Sequence, residues 1–112
     1  MTGKELGQAR PGDTNAVSIY SPPANIRTEI TKIVIANTTG TAATFRIFID
    51  SNGTTYDQTT AIAYDISLAA NDSVETTGSY WMTSSSGNLA VRTGTLSALT
   101  FTAYGIEYEV LN

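Results

Sequence analysis

Histidine and cysteine are both absent from this 112-residue chain, which removes Ser-His-Asp and Cys-His nucleophiles and the common zinc ligand sets. Carboxylates are the acid–base groups left to consider. Glycoside hydrolysis needs two of them converging in a cleft. The ten Asp and Glu residues instead fall mostly in turns or alternate along strands, where solvation is the default. Asp50-Ser51-Asn52-Gly53, with Asp57 nearby, begins like a calcium loop, but Ala61 stands at the twelfth position, where that loop requires Glu. The Asn-Gly pair reads as a turn, because both residues tolerate positive φ. Gly-rich phosphate-binding motifs are missing as well. The expectation is a protein that is not an enzyme, with no catalytic residues, metal or cofactor.

Side chains suited to contact with another protein are easier to find. Tyr80, Trp81 and Met82 form the densest aromatic cluster, of types enriched at interface hot spots. The same trio could equally plug the end of a core. Arg46 and Phe48 share the outward face of a strand, and an exposed Phe beside an Arg points to a subunit contact. Leu6, Gln8 and Arg10 belong to a polar opening segment, 1–15, without periodicity, which reads as a frayed terminus or as an arm that orders on a partner. These eight residues are the candidate interface.

Composition bounds what could carry them. The net charge is −4, and the two lysines and Arg10, Arg27, Arg46 and Arg92 are scattered, so the clustered cations of a nucleic-acid surface are lacking. No apolar run approaches the ~20 residues of a membrane span. The opening MTGKELGQARPGD has no apolar stretch of a signal peptide, so assembly in a cytoplasm is expected. Threonine alone outnumbers all charged residues, and Thr, Val, Ile, Tyr and Phe favour the pleated surface of a sheet. The length fits one all-β domain.

The elements follow from alternation and turn residues. Residues 30–36 and 42–49 are two β-rich runs around Asn37-Thr38-Thr39-Gly40. Ala43, Phe45, Ile47 and Ile49 lie on one face of the second run, and Thr44, Arg46 and Phe48 on the other, a period of two. The first run is apolar on both faces, as in a central strand. A hairpin or a sandwich corner therefore stands at the middle of the domain. Short strands are expected at 16–21, ended by Pro22-Pro23, at 73–76 and at 89–93. Residues 61–68 make another, with Ile62, Tyr64, Ile66 and Leu68 on one side. In 96–111 the large residues change parity after Gly105, which predicts a β-bulge there. About eight strands with regular turns give an antiparallel β-sandwich or jelly roll over 16–112, preceded by an extended N-terminal arm over 1–15.

Five stretches in register resemble a widespread family of small structural proteins of tailed-bacteriophage particles. They are KELGQARPGD, SIYSPPAN, KIVIANTTGTAATFRIFID, IAYDISLAANDSV and FTAYGIEYEV. The family pattern runs K-x-LGQ, a proline-containing link, LYTVPA, a V-x-N-x-[ST] turn, TFRI, YIAYD, a turn ending in ND, and F-x-x-[FY]-G-x-E. This chain departs from it with SPPAN for TVPA and with a longer segment at 79–88. The resemblance implies a non-enzymatic virion protein with a β-sandwich fold. As a capsid decoration (cement) protein it would form symmetric homo-oligomers and clamp the major capsid protein. The alternative is a tail, neck or fibre-associated module. A third reading, from the residues alone, is a carbohydrate-binding module that stacks sugars on Tyr80 and Trp81.

Overall fold

A computed structural model describes residues 3–110. Eight strands follow one another: β1 (Lys4–Ala9), β2 (Val17–Tyr20), β3 (Ile26–Asn37), β4 (Ala43–Asp50), β5 (Ala61–Leu68), β6 (Ser73–Met82), β7 (Asn88–Thr93) and β8 (Leu99–Glu109). They form two four-stranded antiparallel sheets, sheet A in the order β1-β8-β3-β6 and sheet B in the order β2-β7-β4-β5. Every connection crosses between the sheets except that from β4 to β5. This is the jelly-roll arrangement, the chain folded in half and wrapped over itself. Lys4 stands opposite Gly105, Val17 opposite Val91, Ala36 opposite Ser73 and Ala43 opposite Leu68.

Of the two possibilities for residues 30–50, the structure contains the corner. β3 lies inside sheet A and β4 inside sheet B. Asn37 makes the corner: its amide donates to the carbonyls of Thr41 and Leu68, and its side-chain oxygen accepts from Thr39. Ile30, Ile33 and Ile35 of β3 meet Phe45 and Ile47 of β4, Leu89 and Val91 of β7, and Leu99, Phe101 and Ala103 of β8 in the core. Phe45 and Phe101 pack edge to face with ring centroids 6.4 Å apart, a favoured aromatic geometry.

The expected arm is corrected by β1. Lys4–Ala9 pairs along β8 as the edge strand of sheet A, so the boundary after residue 15 does not separate arm from sandwich. Met1 and Thr2 lie outside the described residues. Leu6 packs against the core. Gly7 brings the strand close to β2: a Cβ there would sit 2.1 Å from the Ile19 carbonyl oxygen. The two sheets therefore touch at this edge only because residue 7 has no side chain.

The bulge predicted at Gly105 lies in the neighbouring strands instead. β8 keeps one parity throughout, and Ile30 pairs with Gly105 while Lys32 pairs with Tyr104, leaving Thr31 as the extra residue of β3. Leu6 is the extra residue of β1 at the same level, and Gly78 and Ser79 are extra in β6. Inward positions on β3 accordingly change from Thr28 and Ile30 to Ile33 and Ile35. Sheet A bends along this row. Gly105 is needed there because a Cβ would lie 2.2 Å from the Glu29 carbonyl oxygen.

At one end of the sandwich a polar cluster joins the sheets. The Tyr20 hydroxyl of sheet B donates to Glu107 Oε2 at 2.6 Å and lies 2.6 Å from Thr28 Oγ1, both of sheet A. Lys4 forms an ion pair with the other oxygen of Glu107. Lys4, then Tyr20, hold the Glu107 carboxyl below the usual carboxylate range by hydrogen bonding. A depressed carboxylate stabilises the fold fully above its unfolded pKa of about 4.3, and that contribution is lost as pH falls through the lower folded value. Asp50, Asp57 and Asp65 shift in the same direction. Glu107→Gln should therefore cost about 1.5–3 kcal/mol at neutral pH, as expected for hydrogen bonds to a charged group. It should also flatten, without abolishing, the loss of stability on the acid side, read by thermal melts across the range. A variant as stable as the wild type at neutral pH would show that the cluster does not hold the sheets together.

Candidate protein interface

The outer face of sheet A gathers the exposed aromatic and charged groups. Across β3, Glu29 stands opposite Trp81 of β6 on one side and Ile106 of β8 on the other, and Arg27 stands opposite Tyr108. The Trp81 and Tyr108 side chains, from the two strands flanking β3, meet with ring centroids 5.5 Å apart. The Arg27 guanidinium carbon is 5.0 Å from the Trp81 ring and 5.8 Å from the Tyr108 ring, within reach of a cation–π interaction with both. Glu29 accepts hydrogen bonds from the Ser79 hydroxyl at 2.7 Å and the Tyr108 hydroxyl at 3.3 Å. Desolvation and the Glu29 charge raise the Tyr108 pKa, so the phenol stays a neutral donor. Trp81 remains 47% exposed. The result is a pre-organised patch of Trp, Tyr and Arg whose side chains are already ordered by one another. Little rotamer entropy is then left to lose on binding.

The other sequence candidates are distributed elsewhere. Met82, next to Trp81 on an alternating strand, is buried in the core. Tyr80 packs partly against the same core, as does Leu6. The Tyr80–Trp81–Met82 trio therefore divides: two members serve the core reading and one the interface reading. Gln8 is exposed and donates from its amide to Thr102 Oγ1 at 2.9 Å. Arg10 donates to the Ser97 carbonyl at 2.6 Å and to Thr38 Oγ1 at 3.0 Å, while the Ser97 N–H donates to the Pro11 carbonyl at 2.9 Å. Arg10 thus fastens the link between β1 and β2 to two turns.

Phe48 is corrected from exposed contact to internal residue. It does point to the outer face of sheet B, but it is only 1% exposed. The Tyr56 and Tyr64 rings cover it, with centroids at 6.0 and 6.4 Å. Arg46 beside it is engaged too. Its Nε and Nη2 donate to the two carboxylate oxygens of Asp65 at 2.6 and 3.0 Å. Its guanidinium carbon lies 3.9 Å from the Tyr64 ring. The fork holds the Asp65 carboxyl below the usual carboxylate range. Asp65 adopts a positive φ of 53° at a bulge where Tyr64 and Asp65 together face Arg46. That bulge also overturns the expected single face for 61–68: Tyr64 turns outward over Phe48, while Leu68 turns inward opposite Ala43.

The acidic turn residues are engaged locally. Asp50 accepts from the backbone N–H groups of Asn52 and Thr55, at 3.0 and 2.6 Å, which lowers its pKa. Asp57 accepts from the N–H and hydroxyl of Thr59. Among the described residues no helix is long and apolar enough to cross a membrane.

Arg27, Glu29 and Tyr108 are the members of the patch that sequence reasoning missed. Their pairing across β3 and β8 joins positions far apart in the chain, and the assumed bulge at Gly105 had assigned Tyr108 to the core. Simple alternation carried from Leu99 to Glu109 would have turned it outward. The chain matches no protein-family model and no curated protein in the corresponding searches.

Phe48 and Trp81 are separable by substitution. Phe48→Ala should destabilise the fold by about 3–5 kcal/mol, the range for a buried aromatic. Trp81→Ala should cost far less, since nearly half of that side chain already faces solvent. Chemical denaturation of both variants checks this, and equal losses would contradict the division of roles.

Proposed function

We propose that this chain is a non-enzymatic structural protein of a tailed-bacteriophage particle, a capsid decoration protein that binds the outer shell. The observation that carries the reading is the exposed Trp81–Arg27–Tyr108 patch on the outer face of sheet A. Trp, Tyr and Arg are the residue types most often found at binding hot spots. The five motifs of the bacteriophage family, in register along nearly the whole chain, supply the partner: the major capsid protein. The jelly roll is an architecture used widely in virus shells. Binding that favours the assembled shell over free subunits stabilises it by mass action. Contact with a repeated lattice adds multivalency if the protein is itself a homo-oligomer.

β1 changes how the N-terminal segment enters this reading. It is an edge strand of the sandwich, so removing residues 1–15 would strip a strand from β8 rather than trim a free arm. The shell contact is assigned to the outer face of sheet A.

The alternative, a tail, neck or fibre-associated module, uses the same face and differs in copy number, hundreds per virion against a few dozen or fewer. A carbohydrate-binding module is also favoured by one observation, the exposure of Trp81. Its aromatic partner would be Tyr108 instead of the half-buried Tyr80.

Sedimentation with capsids that lack the protein tests the proposal. The wild type should pellet with particles at a stoichiometry of hundreds. Trp81→Ala should bind more than about tenfold more weakly while keeping its circular dichroism, the effect of losing one hot-spot residue. Full decoration by the variant would remove this face from the contact. A wild type found on virions only at the tail by electron microscopy would favour the alternative. Trp81 fluorescence that responds to a soluble glycan, with no particle binding, would favour the carbohydrate reading.

A further inference from the structure

Asn52-Gly53 reads as a turn because both residues tolerate positive φ, yet neither uses it. Positive values fall at Asn25, Asp65, Asn71 and Ser97, and at no glycine among the described residues. Close packing does not require Gly53 either. A Cβ there would meet only the Asp50 side chain, at 3.5 Å, an ordinary contact. What the missing side chain does provide is access to the Gly53 backbone nitrogen. The residue before it is equally open. Asn52 is exposed, and its side-chain amide has no hydrogen-bond partner among the described residues. Asn37 and Asn88, in contrast, are bound through theirs. No other asparagine of the chain precedes a glycine.

We propose that Asn52 is a site of spontaneous deamidation, and that its isoaspartyl product unfastens the loop after β4. The Gly53 nitrogen, on losing its proton, bonds to Asn52 Cγ. The Cγ–Nδ2 bond breaks, Nδ2 takes up a proton and leaves as ammonia, and a five-membered succinimide remains. Water then opens the ring. Attack at Cγ leaves an aspartyl residue with the ordinary backbone. Attack at the main-chain carbonyl carbon leaves an isoaspartyl residue, whose backbone runs through Cβ and Cγ. The sum is water in and ammonia out, with no oxidant or reductant. The attacking nitrogen is also loosely held. Of the backbone N–H groups around the Asp50 carboxylate, those of Asn52 and Thr55 are bound at 3.0 and 2.6 Å, and that of Gly53 contributes least to keeping the carboxyl low.

The isoaspartyl chain carries one extra backbone carbon, and its place lies between two fixed points. One is the Asn52 N–H on Asp50 Oδ1. The other is the Gly53 carbonyl, which accepts from Asn88 Nδ2 at 2.7 Å. Thr55, bound to Asp50 Oδ2, closes the far side. These ties fit the shorter backbone, and the longer one does not keep all three. Both products also place a negative charge two residues from Asp50, a carboxylate only 6% exposed. Asn88 begins β7 and accepts from the Ser18 hydroxyl of β2, so the loosening reaches the end of sheet B. The modification needs no partner and stands apart from the capsid reading.

Ageing the full chain in solution, followed by peptide mapping with mass spectrometry, tests this. Asn52 should gain about one dalton, an –NH2 group being replaced by –OH, and part of the product should be labelled by an isoaspartyl methyltransferase. Conversion should be faster in mildly alkaline than in mildly acidic buffer, because the attacking nitrogen must lose its proton. Gly53→Ala should slow it several-fold with an unchanged melting temperature, since the added methyl shields the nitrogen and has room. Separated by ion exchange, the isoaspartyl chain should melt below both the unmodified protein and Asn52→Asp, which has the charge without the extra carbon. An Asn52 that stays intact in the folded chain while a synthetic peptide of residues 50–55 converts overturns the site. So does a Gly53→Ala variant that converts as fast as the wild type. An isoaspartyl chain that melts with Asn52→Asp overturns the unfastening of the loop.

Discussion

A hydrogen-bonded cluster of four side chains sets how the two sheets of this protein sit on one another. Apolar contact between sheets is strong but non-directional, and Ile, Leu and Phe faces could slide. Tyr20, reaching from sheet B, finds both Thr28 and Glu107 on sheet A, and only one placement of the sheets satisfies all three. Burial, and then Glu107, push the Tyr20 phenol well above its usual pKa, so it remains a donor at any ordinary pH. Lys4 completes the set by balancing the carboxylate. Among the described residues no buried side-chain nitrogen or oxygen lacks a partner. Loss of one member would leave the others stranded, which costs more than the bond itself contributes. The cluster also explains why the first strand belongs to the sandwich, since its lysine is part of the balance.

Much of the architecture was legible because β4, β7 and the first part of β8 obey strict alternation. Phe45, Ile47, Leu89, Val91, Leu99 and Phe101 could be placed inward from their spacing alone, and all are buried. What alternation could not reveal were extra residues. Thr31, Leu6, Gly78 and Ser79 shift the register of their strands, and nothing local distinguishes them from their neighbours. β6 consequently looked like a short strand followed by an isolated aromatic trio. Phe48 failed for a different reason. Its direction was right, but its cover comes from Tyr56 and Tyr64, one of them in the long loop after β4. The patch of Trp81, Arg27 and Tyr108 was legible only in its tryptophan, because its other members arrive by pairing between strands distant in sequence.

The surfaces divide according to how far their groups are already engaged. On the outside of sheet B, Arg46, Asp65, Tyr64, Tyr56 and Phe48 bind one another, so their polar and aromatic groups are already engaged. On the outside of sheet A, the aromatic rings are ordered but still open to solvent. That contrast, more than any single residue, directs attention to sheet A as the face available to a large partner.

The folding in half of the chain has a consequence for the order of events during synthesis. The β4–β5 pair closes a loop of ten residues, whereas each pair outside it joins segments separated by progressively more chain. Loop-closure entropy rises with that separation, and high contact order slows folding. The central pair can therefore form early, and pairing proceeds outward from it. β1, the first of these eight strands to be made, is the last to find its partner, because β8 is the last of the eight. Until then Leu6 and the β8-facing edge of β3 lack their partner, and a nascent chain of this topology must hold its first strand unpaired until the eighth has been made.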